Sequence, residues 1–404
     1  MILRPSGVIL GDGRLELGLE VVLEGDRIAE IRPHTGIPDR YVLSTAFVNA
    51  HSHLEYRGLM GAISASDYWP WIREITRLKR EQSPEQVTAD CRLAALENRA
   101  AGVGLIGEHT DRLGSAHALV EAGLDAVLFQ ELITFMEDEG ALERKQLVRE
   151  REERNAVAGF PIWISPHAFF TVDSATLQEI GRSGKPFSMH VAESRDESNQ
   201  SLNGTGSIAD FYREHGLADR TSGKRIVPTL ADLGLVRPGA QFVHCCDLHA
   251  SDIELLAQEG VSVAHCPRSN VALGCPPAPI REMLDAGIPV GLGLDSAASS
   301  GSIDMLAEMR AALANAASRD KPISAEEAWR MATSLGASSL PLQLGAWEIR
   351  QGARVPLIRI HVEGALETAD LLDQATPDRI ELVEATWREP ALPTGRSQPR
   401  PASP

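Results

Sequence analysis

Side chains of metal-binding or acid–base type follow short apolar segments at several separate points along the chain. They are His51, His53, His167, His190, Glu193, His244 and Asp295. Three imidazoles and a carboxylate that leave one coordination position open are the ligand set of a catalytic zinc or a similar divalent ion. Such an ion lowers the pKa of a bound water towards neutrality and so supplies hydroxide for hydrolysis. Glu193 and His244 then remain for acid–base steps.

Each of these residues also has a simpler explanation when it is considered alone. A single histidine at a strand end is more often a hydrogen-bonded structural residue, and Asp295 is equally typical of a helix N-cap. The set as a whole is harder to explain in this way, because its members end consecutive units of one repeating pattern. The pattern therefore favours a hydrolytic metal site over a group of unrelated structural residues.

The elements that must position these side chains are short apolar strands that alternate with amphipathic helices. The predicted strands are Ala46–Ala50, Val103–Ile106, Ala126–Gln130, Ile162–Ser165, Phe187–Met189, Gln241–Val243, Ser262–Ala264 and Val290–Leu294. Helical spacing of apolar residues marks the segments between them, such as Pro84–Ala101 and Ala250–Gln258. This alternation predicts an α/β fold, a (β/α)8 TIM barrel, whose active site lies at the C-terminal ends of its strands.

The two ends of the chain have a different pattern. Short strands with turns fill residues 1–45, and strand patterns return in Val355–Val362 and Arg379–Trp387. We therefore expect residues 1–45 and 344–388 to form a small β-sandwich domain, with the barrel at 46–343 inserted between them. The proline-rich stretch 389–404 has no apolar period and is predicted to be a disordered tail.

Composition excludes several classes of function. The 404 residues include 39 basic and 56 acidic ones, for a formal charge of −17, which opposes nucleic-acid binding. No apolar run approaches the roughly 20 residues that span a bilayer, and the N-terminus lacks a signal-peptide pattern. Five cysteines without a CxxC pair predict a reduced, cytoplasmic protein. A homodimer is compatible with the sequence, although no surface motif identifies its interface.

Five segments together resemble the amidohydrolase superfamily. They are Phe47–Glu55 (FVNAHSHLE), Met189–Glu193 (MHVAE), Phe242–His244 (FVH), His265–Asn270 (HCPRSN) and Gly293–Ser296 (GLDS). The resemblance is strongest to the branch that contains cytosine, guanine, S-adenosylhomocysteine and aminodeoxyfutalosine deaminases and s-triazine hydrolases. It covers roughly residues 46–300 in order.

The resemblance implies roles for individual residues. One divalent ion, zinc in preference to iron, would be held by His51, His53, His190 and Asp295. A second ion is not expected, because Ile162–Ser165 contains no lysine that could be carboxylated to bridge two metals.

The catalytic and substrate-binding residues follow from the same resemblance. Glu193 would carry a proton to the ring nitrogen beside the attacked carbon, His244 would orient the hydroxide, and Asp295 would pass the proton of the hydroxide to the leaving ammonia. His167, Ser269 and Asn270 would contact the substrate. Trp69 and Trp71, two tryptophans within three residues, are expected to form a stacking wall for a heterocycle, with covering of apolar surface at the barrel rim as the alternative.

The expected reaction is hydrolytic deamination at C6 of an adenine nucleoside-like substrate. The segment Asp67–Arg73 (DYWPWIR) resembles aminodeoxyfutalosine deaminases of menaquinone biosynthesis, whose substrate bears a carboxylate. Candidate arginines for that carboxylate are Arg57, Arg73, Arg77 and Arg195, and the sequence does not choose among them. Alternatives are deamination of S-adenosylhomocysteine, methylthioadenosine or guanine, hydrolysis of s-triazines, and a metal-free binding protein on the same fold.

Overall fold

The computed structural model describes residues 1–134, 146–151, 154, 159–342 and 345–389. The strands of the barrel are β7 (Phe47–Ser52), β8 (Val103–Thr110), β9 (Asp125–Leu132), β10 (Ile162–Pro166), β11 (Phe187–Val191), β12 (Ala240–His244), β13 (Ser262–His265) and β14 (Val290–Leu292). All neighbouring pairs are parallel, in the order β7 to β14 around the sheet. The prediction of an eight-stranded α/β barrel is confirmed.

Helices surround these strands within the described residues. They are α1 (Tyr68–Glu81), α2 (Pro84–Ala100), α3 (Ser115–Ala122), α4 (Ser174–Ser183), α5 (Arg195–Asn203), α6 (Ser207–Glu214), α7 (Ile226–Asp232), α8 (Ala250–Gln258), α9 (Pro267–Ala272), α10 (Ile280–Asp285), α11 (Ala297–Ser300), α12 (Met305–Ser318), α13 (Ala325–Met331), α14 (Ser334–Ser339) and α15 (Thr368–Gln374). Residues 146–151 are also helical.

Local signals explain where helices begin. Helix α2 starts at a proline in its first turn, and the Ser83 hydroxyl accepts a hydrogen bond from the backbone N–H of Gln86. The Gln86 side chain in turn accepts from the backbone N–H of Ser83. None of the helices in the described parts of the chain has the length and apolarity needed to cross a membrane.

The barrel interior is closely packed. Every residue of β8 is buried, including Glu108 and His109, and the largest fully buried side chains include Phe129, Phe187 and Phe242. This continuous burial is typical of parallel strands that are covered on both faces.

The chain ends form two sheets outside the barrel. The strands are β1 (Ile2–Leu3), β2 (Pro5–Ile9), β3 (Leu15–Leu17), β4 (Leu19–Glu24), β5 (Arg27–Pro33), β6 (Asp39–Thr45), β15 (Leu357–Ile360) and β16 (Ile380–Leu382). One sheet has the order β1-β4-β5 and the other β16-β15-β6-β2-β3, so both ends of the chain contribute to the second sheet. Its connection to the barrel includes a hydrogen bond of 2.8 Å from Trp347 Nε1 to the Ala46 carbonyl.

The C-terminal strands are shorter than predicted. Strand β15 begins only after Pro356, whose ring nitrogen has no hydrogen to donate to a neighbouring strand. After β16 the chain turns through a 3-10 helix at Glu384–Thr386 in place of further strand. The division into domains at 1–45 with 344–388 and at 46–343 remains our proposal. Of the predicted tail, residues 390–404 lie outside the described residues.

Close packing next to β14 yields a test of the barrel's closure. A Cβ atom on Gly293 would lie 2.7 Å from His51 Cβ and 2.9 Å from Cys266 Sγ. Gly293→Ala should therefore lower the free energy of unfolding by about 1–3 kcal/mol, measured by chemical denaturation. Gly345→Ala is the matched control, because nothing lies within 4 Å of its Cβ position. Equal stability of the two variants would contradict this packing.

Candidate active site

The barrel brings the predicted metal ligands into one cluster at the C-terminal ends of its strands. One ring nitrogen from each of His51, His53 and His190 lies within 4.8 Å of the others. In a second group, one ring nitrogen each of His51 and His244 and one carboxylate oxygen of Asp295 lie within the same distance of one another. Asp295 Oδ1 is 3.7 Å from His51 Nε2 and 3.8 Å from His53 Nε2. Residues from β7, β11, β12 and the segment after β14 therefore meet at one point.

Backbone hydrogen bonds between the end of β7 and the segment after β14 hold His51 and His53 next to Asp295. The Asp295 N–H donates to the His51 carbonyl at 2.9 Å, and the His53 N–H donates to the Asp295 carbonyl at 3.1 Å. Asp295 has a φ of 55° and His244 a φ of 71°, in the left-handed region that side chains other than glycine seldom adopt. Such strain is often found at functional sites.

Hydrogen bonds orient the remaining groups. His190 Nδ1 donates to the His167 carbonyl at 2.8 Å, which leaves its Nε2 with a free lone pair. His244 Nδ1 lies 2.8 Å from Asn270 Oδ1, and Asp295 Oδ2 accepts from Ser269 Oγ at 2.5 Å. On the other side of His244, its Nε2 is 3.6 Å from Glu193 Oε1.

Burial sets the charge states in this cluster. It lowers the pKa of His51 and of His53 to about 3, so both imidazoles are neutral at pH 7. Burial opposes ionisation of Asp295, but its neighbour His51 holds the pKa of this carboxyl well below its ordinary range. Burial, together with the charge of Asp295, raises the pKa of Glu193 well above its ordinary value, while a hydrogen bond with Tyr68 opposes the rise.

This donor set fits a divalent cation. Both ring nitrogens of His51 and Nδ1 of His53 are buried and have no hydrogen-bond partner among the described residues. Neutral imidazoles beside an ionised carboxylate are the ligands that zinc and similar ions prefer.

His53, His190, His244 and Asp295 of the cluster line a cavity of about 470 Å³. This volume is within the range of small-molecule sites. Of the predicted substrate residues, His167, Trp69 and Trp71 line this cavity. Ser269 and Asn270 do not line it, and instead they contact Asp295 and His244. A larger cavity of about 610 Å³ on the outer side of β10 contains none of the clustered side chains.

The cavity also contains polar residues that the sequence reasoning missed. Asp111 directly follows β8, and Glu131 is the last but one residue of β9. The Nζ atom of Lys79, a residue of α1, lies 2.7 Å from a carboxylate oxygen of Asp111. The test that identified the histidines, a polar residue at the end of a strand, would have identified both carboxylates. Lys79 carries no such signal, because only the packing of α1 across the barrel mouth brings it there.

None of the four arginines considered for a substrate carboxylate lines the cavity. Arg57 pairs with Glu97 at 2.5 Å, and Arg77 pairs with Glu74 and Glu81 on the surface of α1. The cationic residues that do line the cavity are Lys79, Arg80, Arg112 and Arg151.

The histidines and the aspartate lie at the C-terminal ends of the barrel strands, where enzymes with this fold have their active sites. Such a ligand set is typical of metal-dependent hydrolases. Residues 42–353 match the model of the amidohydrolase family, and the chain belongs to that family. A 5-methylthioadenosine/S-adenosylhomocysteine deaminase of Pelotomaculum thermopropionicum is 30% identical over 345 residues, which cover 80% of this chain and 76% of that protein. The chain is therefore a hydrolase that acts on C–N bonds.

Two solved structures share the fold. An adenosine deaminase from Xanthomonas campestris with bound zinc has a TM-score of 0.79 and 22% identity, covering 94% of this chain and 90% of the other. An aminofutalosine deaminase from Helicobacter pylori has a TM-score of 0.80 and 21% identity, covering 96% and 99%. At these identities the likeness extends to the fold alone.

Removing one ligand should release the metal. If His190 is a ligand, we expect His190→Ala to lose most of its bound divalent metal after dialysis, because the remaining donors no longer complete the site. Metal content measured by inductively coupled plasma mass spectrometry tests this. His215→Ala, which changes an exposed histidine, is the control and should keep its metal. Full metal occupancy in His190→Ala would remove this residue from the ligand set.

Proposed function

We propose that the protein is a metal-dependent hydrolytic deaminase that acts at C6 of an adenine nucleoside-like substrate and releases ammonia. The observation that carries this proposal is the placement of Glu193, His244 and Asp295 around one cluster of neutral imidazoles that lines a cavity. The deaminase activity named for the relative with 30% identity supports the same reaction.

The proposed metal ligands are His51, His53, His190 and Asp295. When bound, a divalent ion lowers the pKa of a coordinated water, so that hydroxide becomes available at neutral pH. Zinc is the ion we propose, because imidazole nitrogens and a carboxylate oxygen make up its usual catalytic ligand set.

The protein's own residues would move the protons. Burial raises the pKa of Glu193 and so favours its protonated form, from which it would donate a proton to the ring nitrogen beside C6. Asp295 is ionised, and it can accept the proton of the attacking water and pass it to the leaving amine. His244, oriented by Asn270, would hold the attacking oxygen in line with the ring carbon.

The shape of the cavity suits a planar base with an attached sugar. Trp69, Trp71, Tyr68 and Phe170 line one side and offer aromatic surfaces for stacking. His167 lines the cavity and would contact the base. Ser269 and Asn270 would act indirectly, by orienting Asp295 and His244.

Two alternatives are proposed for the group that the substrate carries on its adenine nucleoside. The sequence resemblance in Asp67–Arg73 favours 6-aminodeoxyfutalosine, which would place the reaction in menaquinone biosynthesis. The relative from Pelotomaculum thermopropionicum favours methylthioadenosine or S-adenosylhomocysteine. The absence of CxxC pairs keeps a reduced, cytoplasmic setting as part of the proposal.

Ammonia release from the zinc-loaded protein separates these substrates. The panel is 6-aminodeoxyfutalosine, methylthioadenosine, S-adenosylhomocysteine, adenosine and guanine. We expect at least one adenine nucleoside to reach a kcat/KM above about 10⁴ M⁻¹s⁻¹, the range of physiological substrates. Turnover of guanine alone, or of none of the panel with metal bound, would contradict the proposed substrate class.

The proton transfer assigned to Glu193 has its own test. Glu193→Gln should keep its bound metal but lose about 10²–10⁴-fold in kcat, because the amide cannot deliver the proton. Steady-state kinetics and metal analysis are measured together. Glu254→Gln makes the same chemical change at an exposed position of α8 and should leave kcat unchanged. Full activity in Glu193→Gln would refute the assigned role.

A further inference from the structure

Glu197 is a buried carboxyl group that lies behind the wall of the active-site cavity. It belongs to the first turn of α5, it is 1% exposed, and it does not line the cavity itself. Its Oε1 atom has no hydrogen-bond partner among the described residues, so the burial of this group costs free energy. A polar side chain that is buried at such a cost in a native protein often has a functional role.

The partner of this carboxyl group is the backbone of the residue proposed to donate a proton to the substrate. Glu197 Oε2 accepts a hydrogen bond of 3.2 Å from the backbone N–H of Glu193. The backbone N–H of Ala192 is a second donor to the same carboxyl group. Both N–H groups lie between the end of β11 and the start of α5, in the turn that follows the strand.

This turn has an unfavourable backbone conformation and is held from a second side. Ala192 has a φ of 51°, in the left-handed region that a residue with a Cβ atom seldom adopts. Its carbonyl accepts hydrogen bonds from the backbone N–H groups of Cys246 at 2.9 Å and of Asp247 at 2.8 Å. The turn is therefore fixed between the segment after β12 and the carboxyl group of Glu197.

The conformation of the turn decides where the Glu193 side chain points. Glu193 lines the cavity, and its Oε1 atom is 3.6 Å from His244 Nε2. A proton donor must lie within hydrogen-bonding reach of the atom that it protonates, and a misplacement of about 1 Å can lower a rate about 10²-fold. Without an acceptor at position 197, two buried N–H groups would lose their partner, and the turn would change to satisfy them elsewhere.

We propose that Glu197 is a positioning residue, which fixes the backbone turn at Ala192 and Glu193 and thereby directs the Glu193 side chain towards the reacting base. The required feature is an oxygen acceptor at the reach of the Glu197 side chain, because its partners are neutral N–H groups. The inference rests on the proposed deamination, in which Glu193 carries the proton.

Three replacements separate the reach of the side chain from its charge. Glu197→Gln keeps an oxygen acceptor at the same reach without the charge, Glu197→Asp keeps the charge but is one methylene shorter, and Glu197→Met has neither acceptor nor charge. Glu254→Asp and Glu254→Met make the same changes at an exposed position of α8. The assay uses the adenine nucleoside that the zinc-loaded wild-type protein turns over fastest, and metal content is measured for every variant.

Activity should follow reach and not charge. Glu197→Met and Glu197→Asp should lower kcat about 10–100-fold, with KM within about threefold and unchanged metal content, because the cavity lining and the metal ligands stay in place. Glu197→Gln should keep kcat within about fivefold of the wild-type value, and both Glu254 variants should keep it unchanged. The comparison of Glu197→Gln with Glu197→Asp is decisive even if Glu197→Met does not fold.

A double-mutant cycle separates positioning of Glu193 from a general loss of stability. Glu197→Asp should lower kcat much less in the Glu193→Gln background than in the wild-type background, because a side chain that cannot donate the proton gains nothing from its placement. A residue that only stabilises the fold would lower kcat by the same factor in both backgrounds.

The contrary results differ from a failure of the proposed function. Equal losses in the two backgrounds would overturn the inference, as would activity of Glu197→Gln that is no higher than that of Glu197→Asp. Loss of metal from Glu197→Asp would overturn it as well, because the residue would then support the metal ligands. Release of no ammonia by the wild-type protein from any adenine nucleoside would refute the proposed function, and the inference with it.

Discussion

The pairing of the first barrel strand with the segment that follows the last one is the interaction on which the site depends. Residues 51 and 295 are far apart in sequence, yet two backbone hydrogen bonds of 2.9 and 3.1 Å join Asp295 to His51 and His53. A parallel sheet places all its strand ends at one edge, and closure makes the first and last of them neighbours. Without this contact, the carboxylate would be separated from the imidazoles.

Removal from water gives the clustered groups their chemical character. Burial keeps His51 and His53 neutral, whereas the pKa of Asp295 is held well below its ordinary range, against its own burial, chiefly by its neighbour His51. The same burial raises the pKa of Glu193 well above its ordinary value. The pKa values of two carboxyl groups in one cavity are therefore shifted in opposite directions, an arrangement that suits paired acid and base steps.

Much of the barrel could be predicted from the sequence, because strand ends in a closed parallel barrel converge whatever the details of packing. His51, His53, His190, His244 and Asp295 were identified by this rule alone, and the structure brings them together. Glu131 directly follows the predicted strand Ala126–Gln130 and meets the same rule, although it was not among the candidates. Strand bounds were predicted too short at the C-terminal ends of β8, β9 and β11, where polar residues continue the strand inside the barrel.

What the sequence could not predict depends on how distant segments pack. Arg57 and Arg77 were candidates for a substrate carboxylate, but each forms ion pairs with acidic residues outside the cavity. Ser269 and Asn270 were predicted to contact substrate, and their hydrogen bonds instead connect them to Asp295 and His244. Hydrogen-bond and ion-pair partners of this kind depend on how distant segments pack in the folded protein, so the residue type at one position does not predict them.

The most direct test of the account is an oxygen-labelling experiment on the wild-type protein. Zinc-loaded enzyme and an adenine nucleoside are incubated in water enriched in heavy oxygen, and the product is analysed by mass spectrometry. Hydrolytic deamination predicts a hypoxanthine nucleoside with its glycosidic bond intact and one heavy oxygen at C6 for each ammonia released. Release of free adenine, or an unchanged nucleoside with metal bound, would contradict the central claim.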